Sequence, residues 1–254
     1  MAGNELQVVK FLFDNIGKIK LNHLGIVTQI GAPTSNGFQP VNTLDDLARI
    51  STEDARKKAD VYINGVGVSI KQIGGSFSFN RLQRANLFDV YQLLGFNDID
   101  RMLNQIDNEV LKFHRGLLDK RNRPWEDFFS KKDFKSLLKF LMMDGSPNYG
   151  FSAHKAELIL EAPAICNTSD DISVYTFDEY FAKYENKFKI AIRRQWVGQS
   201  SDSEHKRAVS LKNKEGNAPW VFNDIVGTPR TGWRKEFPES ERRTVYFLMI
   251  EKVR

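Results

Sequence analysis

Asn64-Gly65 constrains the fold of this chain more tightly than any other pair of residues. A two-residue type I′ turn needs positive φ at both central positions, and Asn and Gly accept that backbone at little steric cost. Counting outward from the turn, Ile63 faces Val66, Tyr62 faces Gly67, and Val61 faces Val68. Asp60 then comes opposite Ser69, with Cβ atoms about 5 Å apart. Lys71 lies two residues beyond Ser69 and so on the same side of the sheet. Val61, Ile63, Val66, Val68 and Ile70 share the other side, an apolar set suited to packing under a helix. The pattern predicts a hairpin with three polar side chains, Asp60, Ser69 and Lys71, on one face. Most exposed charge pairs on hairpins are simply solvated. Here Arg56-Lys57-Lys58 precede the hairpin, and Asn80, Arg81, Gln83 and Arg84 follow it. Cationic and amide groups on both sides of a carboxylate suit a polyanionic ligand.

These residues resemble the catalytic hairpin of the PD-(D/E)XK nucleases, most closely the type II restriction endonucleases. Asp60 stands at the position of the family's first Asp and Lys71 at that of its Lys. Ala59 replaces the family's Pro, and Ser69 replaces the second acid; the match spans roughly residues 51 to 87. The resemblance implies an α/β (α+β) fold with a central mixed sheet flanked by helices. It also implies Mg²⁺-dependent hydrolysis of both strands of a specific double-stranded DNA sequence. Asp60, Ser69, Lys71 and Gln72 are its catalytic candidates, and Asp60 with Glu5 its metal ligands. A hydroxyl at position 69 lacks the charge that helps hold Mg²⁺. Gln72 is then a neutral oxygen ligand, and Glu5, Glu53 or Asp54 supplies the missing acid. Glu5 is favoured because the family often places an acid on its opening helix. A homodimer and a cognate DNA methyltransferase in the same system are further expectations of the resemblance.

Two other segments suit DNA. The stretch from Phe79 to Leu94 reads as a helix whose N-terminal end presents Asn80, Arg81 and Arg84, and helix N-termini and arginines both favour phosphate. Gly227 to Arg234 combines turn formers with Arg230, Trp233 and Arg234. Arginine reads guanine bidentately in the major groove, and an aromatic ring wedges or stacks at bases. Each has a plain alternative: the wet side of an amphipathic helix, and a surface loop with Trp233 folded over the core. Between Lys112 and Lys139, Lys and Arg outnumber Asp and Glu by nine to four, either a phosphate-contacting surface or a solvated helical face.

The chain has 254 residues, 41% of them hydrophobic, and a formal net charge of +5. That is enough for one well-buried domain spanning 1–254, or for a core over 1–170 with a strand-rich DNA-recognition part over 171–254. Cys166 is the only cysteine, which excludes an intrachain disulfide and a cysteine-rich zinc site. No apolar run reaches the roughly 18 residues of a membrane span, and no signal-peptide pattern opens the sequence, so the reading is a soluble, cytoplasmic protein. His23, His114, His154 and His205 have no metal-ligand spacing, and no Walker, Gly-x-Gly-x-x-Gly or Gly-x-Ser-x-Gly motif occurs.

Helical spacing predicts helices over residues 4–20, 44–57, 98–118 and 125–143, residues 178–188 read as helical or mixed, and residues 21–42 read as irregular loop. Residues 150–165 are apolar and ambiguous. Residues 188–197, 207–212, 220–226 and 244–253 read as strands. In mechanism, Asp60 holds the metal and Lys71 stabilises charge at phosphorus, because an ordinary lysine, with a pKa near 10.4, is a poor base at neutral pH. Two alternatives remain open: a DNA-binding protein whose nuclease core has lost catalysis, and a structure-specific nuclease of repair or recombination.

Overall fold

Asn64 and Gly65 both take the left-handed backbone, with φ of 51° and 82°. The turn joins β5 (Val61–Ile63) to β6 (Val66–Gln72), with Val61 paired to Val68, Tyr62 to Gly67 and Ile63 to Val66. In the computed structural model, residues 5–34, 37–43, 45–46, 57–73, 77–78, 82–114, 117, 122–196, 221–222 and 244–252 are described. They form a mixed α/β protein in two compact units, chiefly 1–76 with 138–187 and 77–137 with 188–253. Strands and helices are numbered below in chain order.

The first unit is built on a six-stranded sheet. Residues 21–42, expected to be irregular, supply β1 (Lys20–Leu21), β2 (Gly25–Ile26), β3 (Ile30–Thr34) and β4 (Gly37–Pro40). Their Gly, Pro and Asn residues mark the turns between short strands rather than one long loop. A short pair, β10 (Gly145–Ser146) with β11 (Gly150–Phe151), precedes β12 (Leu158–Ala162), which comes from the ambiguous stretch after residue 150, and β13 (Ser173–Tyr175) follows it. The order across the sheet is β13-β12-β6-β5-β3-β4, with β12 parallel to β6 and the other pairs antiparallel.

Helix α1 (Glu5–Asp14) covers one face of this sheet. Its Val8, Val9 and Leu12 are fully buried in one cluster with Val61, Ile63, Val68, Ile70, Leu158, Leu160 and Val174. Burying a side chain of this kind contributes about 1.5–3 kcal/mol, so the period-2 apolar set of the hairpin fixes which face turns inward.

The second unit holds α2 (Arg84–Leu93), α3 (Ile99–His114) and a sheet centred on β14 (Phe188–Trp196) and β16 (Thr244–Lys252). Strands β7 (Phe77–Ser78), β8 (Leu82–Gln83) and β15 (Val221–Phe222) pair with β16, and β9 (Asn122–Pro124) with β14. Helix α2 therefore starts at Arg84, later than the Phe79 expected, because Leu82 and Gln83 are drawn into pairing with Leu248 and Phe247. The predicted helix over 125–143 is divided. It comprises a 3₁₀ turn (Trp125–Asp127), α4 (Lys131–Lys139) and a π-helical turn (Phe140–Asp144), the last belonging to the first unit. Helix α5 (Phe177–Tyr184) lies in the first unit and is capped by Thr176 with Glu179. Most of 44–57 and all of 207–212 lie outside the described residues.

The side chain of Asn64 adds a tie that the turn type alone does not require. Its Oδ1 accepts from Thr28 N–H, Thr28 Oγ1 and Gln29 N–H, and its Nδ2 donates to the carbonyls of Leu24 and Ile26. Asn64→Gly keeps the left-handed backbone and loses all of these bonds. Partly exposed bonds contribute about 0.5–1.5 kcal/mol each and are not additive, so the expected loss is about 1–3 kcal/mol by urea unfolding. An unchanged midpoint would mean that only the backbone requirement matters there.

Candidate active site

Asp60 precedes β5, and its backbone N–H reaches Val68 O at 2.8 Å although Val68 is already paired with Val61, so Asp60 and Val61 share one partner as in a β-bulge and the expected pairing of Asp60 with Ser69 is not made. Its Oδ2 accepts from Ile70 N–H at 2.7 Å and from Ser69 Oγ at 3.2 Å. Lys71 Nζ donates to the same Ser69 Oγ at 2.8 Å. Ser69 is 2% exposed, so the hydroxyl is a buried link between a carboxylate and an ammonium. The three side chains expected to share a face are thus one hydrogen-bonded chain, Lys71 to Ser69 to Asp60.

Lys58, two residues before Asp60, belongs to the cationic run Arg56-Lys57-Lys58 expected to flank the carboxylate. Its Nζ donates to Leu141 O at 2.7 Å, in the π-helical turn. Burial, and then the positive charge of Lys71, push its pKa down from 10.5 to about 8, while Asp60 and Asp144 oppose the shift. Two ammonium groups therefore stand within electrostatic reach of the Asp60 carboxylate, a cationic setting for phosphate.

Glu161 was missed by sequence reasoning. It lies on β12 in register with Lys71 on the parallel neighbour β6, and alternation puts it on the same face as Ser69 and Lys71. It is 0% exposed. Its Oε2 accepts from Lys183 Nζ at 3.1 Å and from Tyr184 Oη at 2.6 Å, both on α5. Lys183 Nζ also donates to Tyr175 Oη. Burial alone would lower the pKa of Lys183, but its bonds to Tyr175, Tyr184 and Glu161 outweigh that and hold it above the ordinary lysine range. A lone acid inside the apolar run Leu158-Ile159-Leu160-Glu161-Ala162 was the available signal, because a buried carboxylate requires partners.

Glu5 lies in the first turn of α1, the helix that covers the other face of the sheet. Gln72 continues β6 opposite Ala162; alternation puts it on the side of Ile70, away from Lys71, and it is exposed. Arg84 opens α2 in the second unit. Glu53, Asp54, Asn80, Arg81, Arg230, Trp233 and Arg234 lie outside the described residues.

A hard cation such as Mg²⁺ takes oxygen ligands, commonly one or two carboxylates with waters and substrate phosphates. Asp60 Oδ2 is engaged by two donors. Oδ1 accepts no hydrogen bond among the described residues. No group of three or more His, Cys, Asp or Glu side chains that could hold a metal occurs among them either. This donor set fits a cation shared with substrate phosphate, and does not fit a cage built of protein ligands alone.

No protein-family model matches the chain, and no curated protein is significantly similar to it. No helix among the described residues is long and apolar enough to cross a membrane.

Because folding lowers the pKa of Lys58, the folded protein binds fewer protons than the unfolded chain between about pH 8 and 10.5. Below that window the penalty of burying the ammonium is fully present, and stability is regained as pH rises through it. Lys58→Met should remove a rise on the order of 2 kcal/mol, discounted for residual exposure. Urea unfolding of both proteins across the window measures it; parallel pH profiles would contradict the assignment.

Proposed function

We propose that this protein is an Mg²⁺-dependent endonuclease that cuts both strands of a specific double-stranded DNA sequence, in the manner of a type II restriction enzyme. The observation that carries the reading is the chain from Lys71 to Ser69 to Asp60 on one sheet face. It holds a carboxylate and an ammonium in fixed relation beside a second ammonium, that of Lys58. The mixed α/β layout around the hairpin is compatible with a restriction-endonuclease-like core.

In this reading a phosphodiester enters over the Asp60 face. Asp60 would hold Mg²⁺, with its Oδ2 fixed by Ile70 N–H and Ser69. When bound there, the cation would supply charge neutralisation at the phosphate and a lowered pKa for water. Lys71, oriented by its bond to Ser69 Oγ, places its ammonium against the charge that develops on the phosphoryl oxygens. Ser69 does not replace the acid of the family pattern. It fixes the distance between the two charged groups. Glu161, held by Lys183 and Tyr184, walls the Lys71 side of the face. Cutting a two-fold symmetric site is most simply done by a two-fold dimer, and the self-DNA of such a system is protected by a methyltransferase.

One observation favours a second reading. Asp60 is the carboxylate of the hydrogen-bonded chain where the family pattern has two acids, so a DNA-binding protein without catalysis is the competing function.

Incubation of long unmethylated duplex DNA with the purified protein and Mg²⁺ separates the two. Discrete fragments are expected, with Lys71→Ala slowing cleavage on the order of a hundredfold or more while leaving DNA binding in place. Intact DNA together with salt-dependent binding would favour the non-catalytic reading.

A further inference from the structure

Tyr62 pairs with Gly67 and so occupies the sheet face of Ser69 and Lys71, and its ring is anchored from behind. Its Oη bonds His154 Nδ1 at 2.8 Å, and His154 Nε2 bonds Thr34 O at 2.6 Å. Since a carbonyl only accepts, Nε2 carries the proton, Nδ1 accepts, and Tyr62 donates. His154 is buried, and its ring meets that of Tyr62 edge-on at 5.9 Å.

In front of Tyr62 lies Phe38, stacked at 5.0 Å with an interplanar angle of 22°. Phe38 comes from β4 and Tyr62 from β5, with β3 between them. The rings meet across that strand because β3 carries Gly31 there: a Cβ on Gly31 would stand 2.5 Å from Phe38 Cδ2. Phe38 is 41% exposed. An aromatic ring held this firmly loses little freedom when something stacks on it, and the ammonium groups of Lys58 and Lys71 beside Asp60 suit the phosphates flanking a stacked group.

We propose that the Phe38–Tyr62 stack is a nucleobase-binding subsite, which receives an unstacked base of the DNA strand passing Asp60. This rests on the proposal that DNA occupies the Asp60 face. Gly67, opposite Tyr62, and Ser69, which bonds Asp60, are adjacent positions on one strand face, about 7 Å apart, about the length of one nucleotide of extended backbone. A phosphate at Asp60 thus puts a neighbouring base within reach of the shelf. Stacking on aromatic rings is sequence-tolerant, because every base has a π-face. The subsite therefore positions the strand and leaves sequence reading to other residues.

The test uses the full chain in EDTA, with two fluorescent oligomers of equal length: a short oligodeoxythymidine and its abasic counterpart, which keeps the phosphates and lacks the bases. Wild type should bind the thymidine oligomer about tenfold more tightly, within the range for one base on an aromatic shelf. Phe38→Leu, at an exposed position, should bring the ratio near one without weakening the abasic oligomer. Lys71→Ala should preserve the ratio. A wild-type ratio near one, no binding of either oligomer, or an undiminished ratio in Phe38→Leu overturns the subsite. The Mg²⁺ cleavage assay fails separately: a tenfold ratio without cleavage keeps the shelf and removes the nuclease, and cleavage with a ratio near one does the reverse.

Discussion

The left-handed turn at Asn64-Gly65 fixes a register, and that register decides which side chains meet. A slip of one residue would move Val61, Val68 and Ile70 out of the cluster under α1 and turn Asp60 and Lys71 into it. The apolar face and the polar face are thus one constraint seen from two sides. Packing against α1 holds the hairpin in the pairing from which Asp60 reaches Ser69 through its side chain. Asn64 reinforces the register by tying the turn to residues 24–29.

Across the polar face the chemistry is graded. Tyr62, braced by His154, carries an aromatic surface; Asp60 and Ser69 carry the carboxylate and its buried hydroxyl link; Lys71 lies beyond, next to Glu161 on the parallel strand. Each polar group that leaves water along this line has a partner: Ser69 has Asp60 and Lys71, Glu161 has Lys183 and Tyr184, and Lys58 has Leu141 O. Such pairing is what keeps buried polar groups from destabilising a sheet face. It also holds the charges in place before a substrate arrives, which is how preorganised electrostatics act on a developing charge.

The hairpin, its pairing as far as Val61 with Val68, and its apolar set were legible in the sequence because turn chemistry and period-2 alternation are local. Helices α1 and α3 were legible for the same reason, from helical spacing, and α5 in part. Residues 21–42 were misread because strands of two to five residues carry too few alternations to stand out against their turn residues. The start of α2 was misplaced because Leu82 and Gln83 are claimed by a strand more than 160 residues later in the chain. Within the site, Asp60, Ser69 and Lys71 could be found by counting from one turn. Glu161, Lys183, His154 and the bond from Lys58 to Leu141 O could not, since each depends on a parallel strand, a helix or a π-helical turn whose placement is tertiary. Gln72 was grouped with Lys71 by adjacency, whereas the strand separates neighbours to opposite faces.

The central claim is that Asp60, Ser69 and Lys71 act as one hydrogen-bonded unit on a phosphodiester. Single-turnover cleavage of bound duplex DNA by Asp60→Asn, Lys71→Ala and the double variant tests it most directly, because groups that act together lose activity non-additively. The account predicts that the double variant is about as slow as the slower single variant. Losses that multiply, or wild-type cleavage by Asp60→Asn, would contradict it.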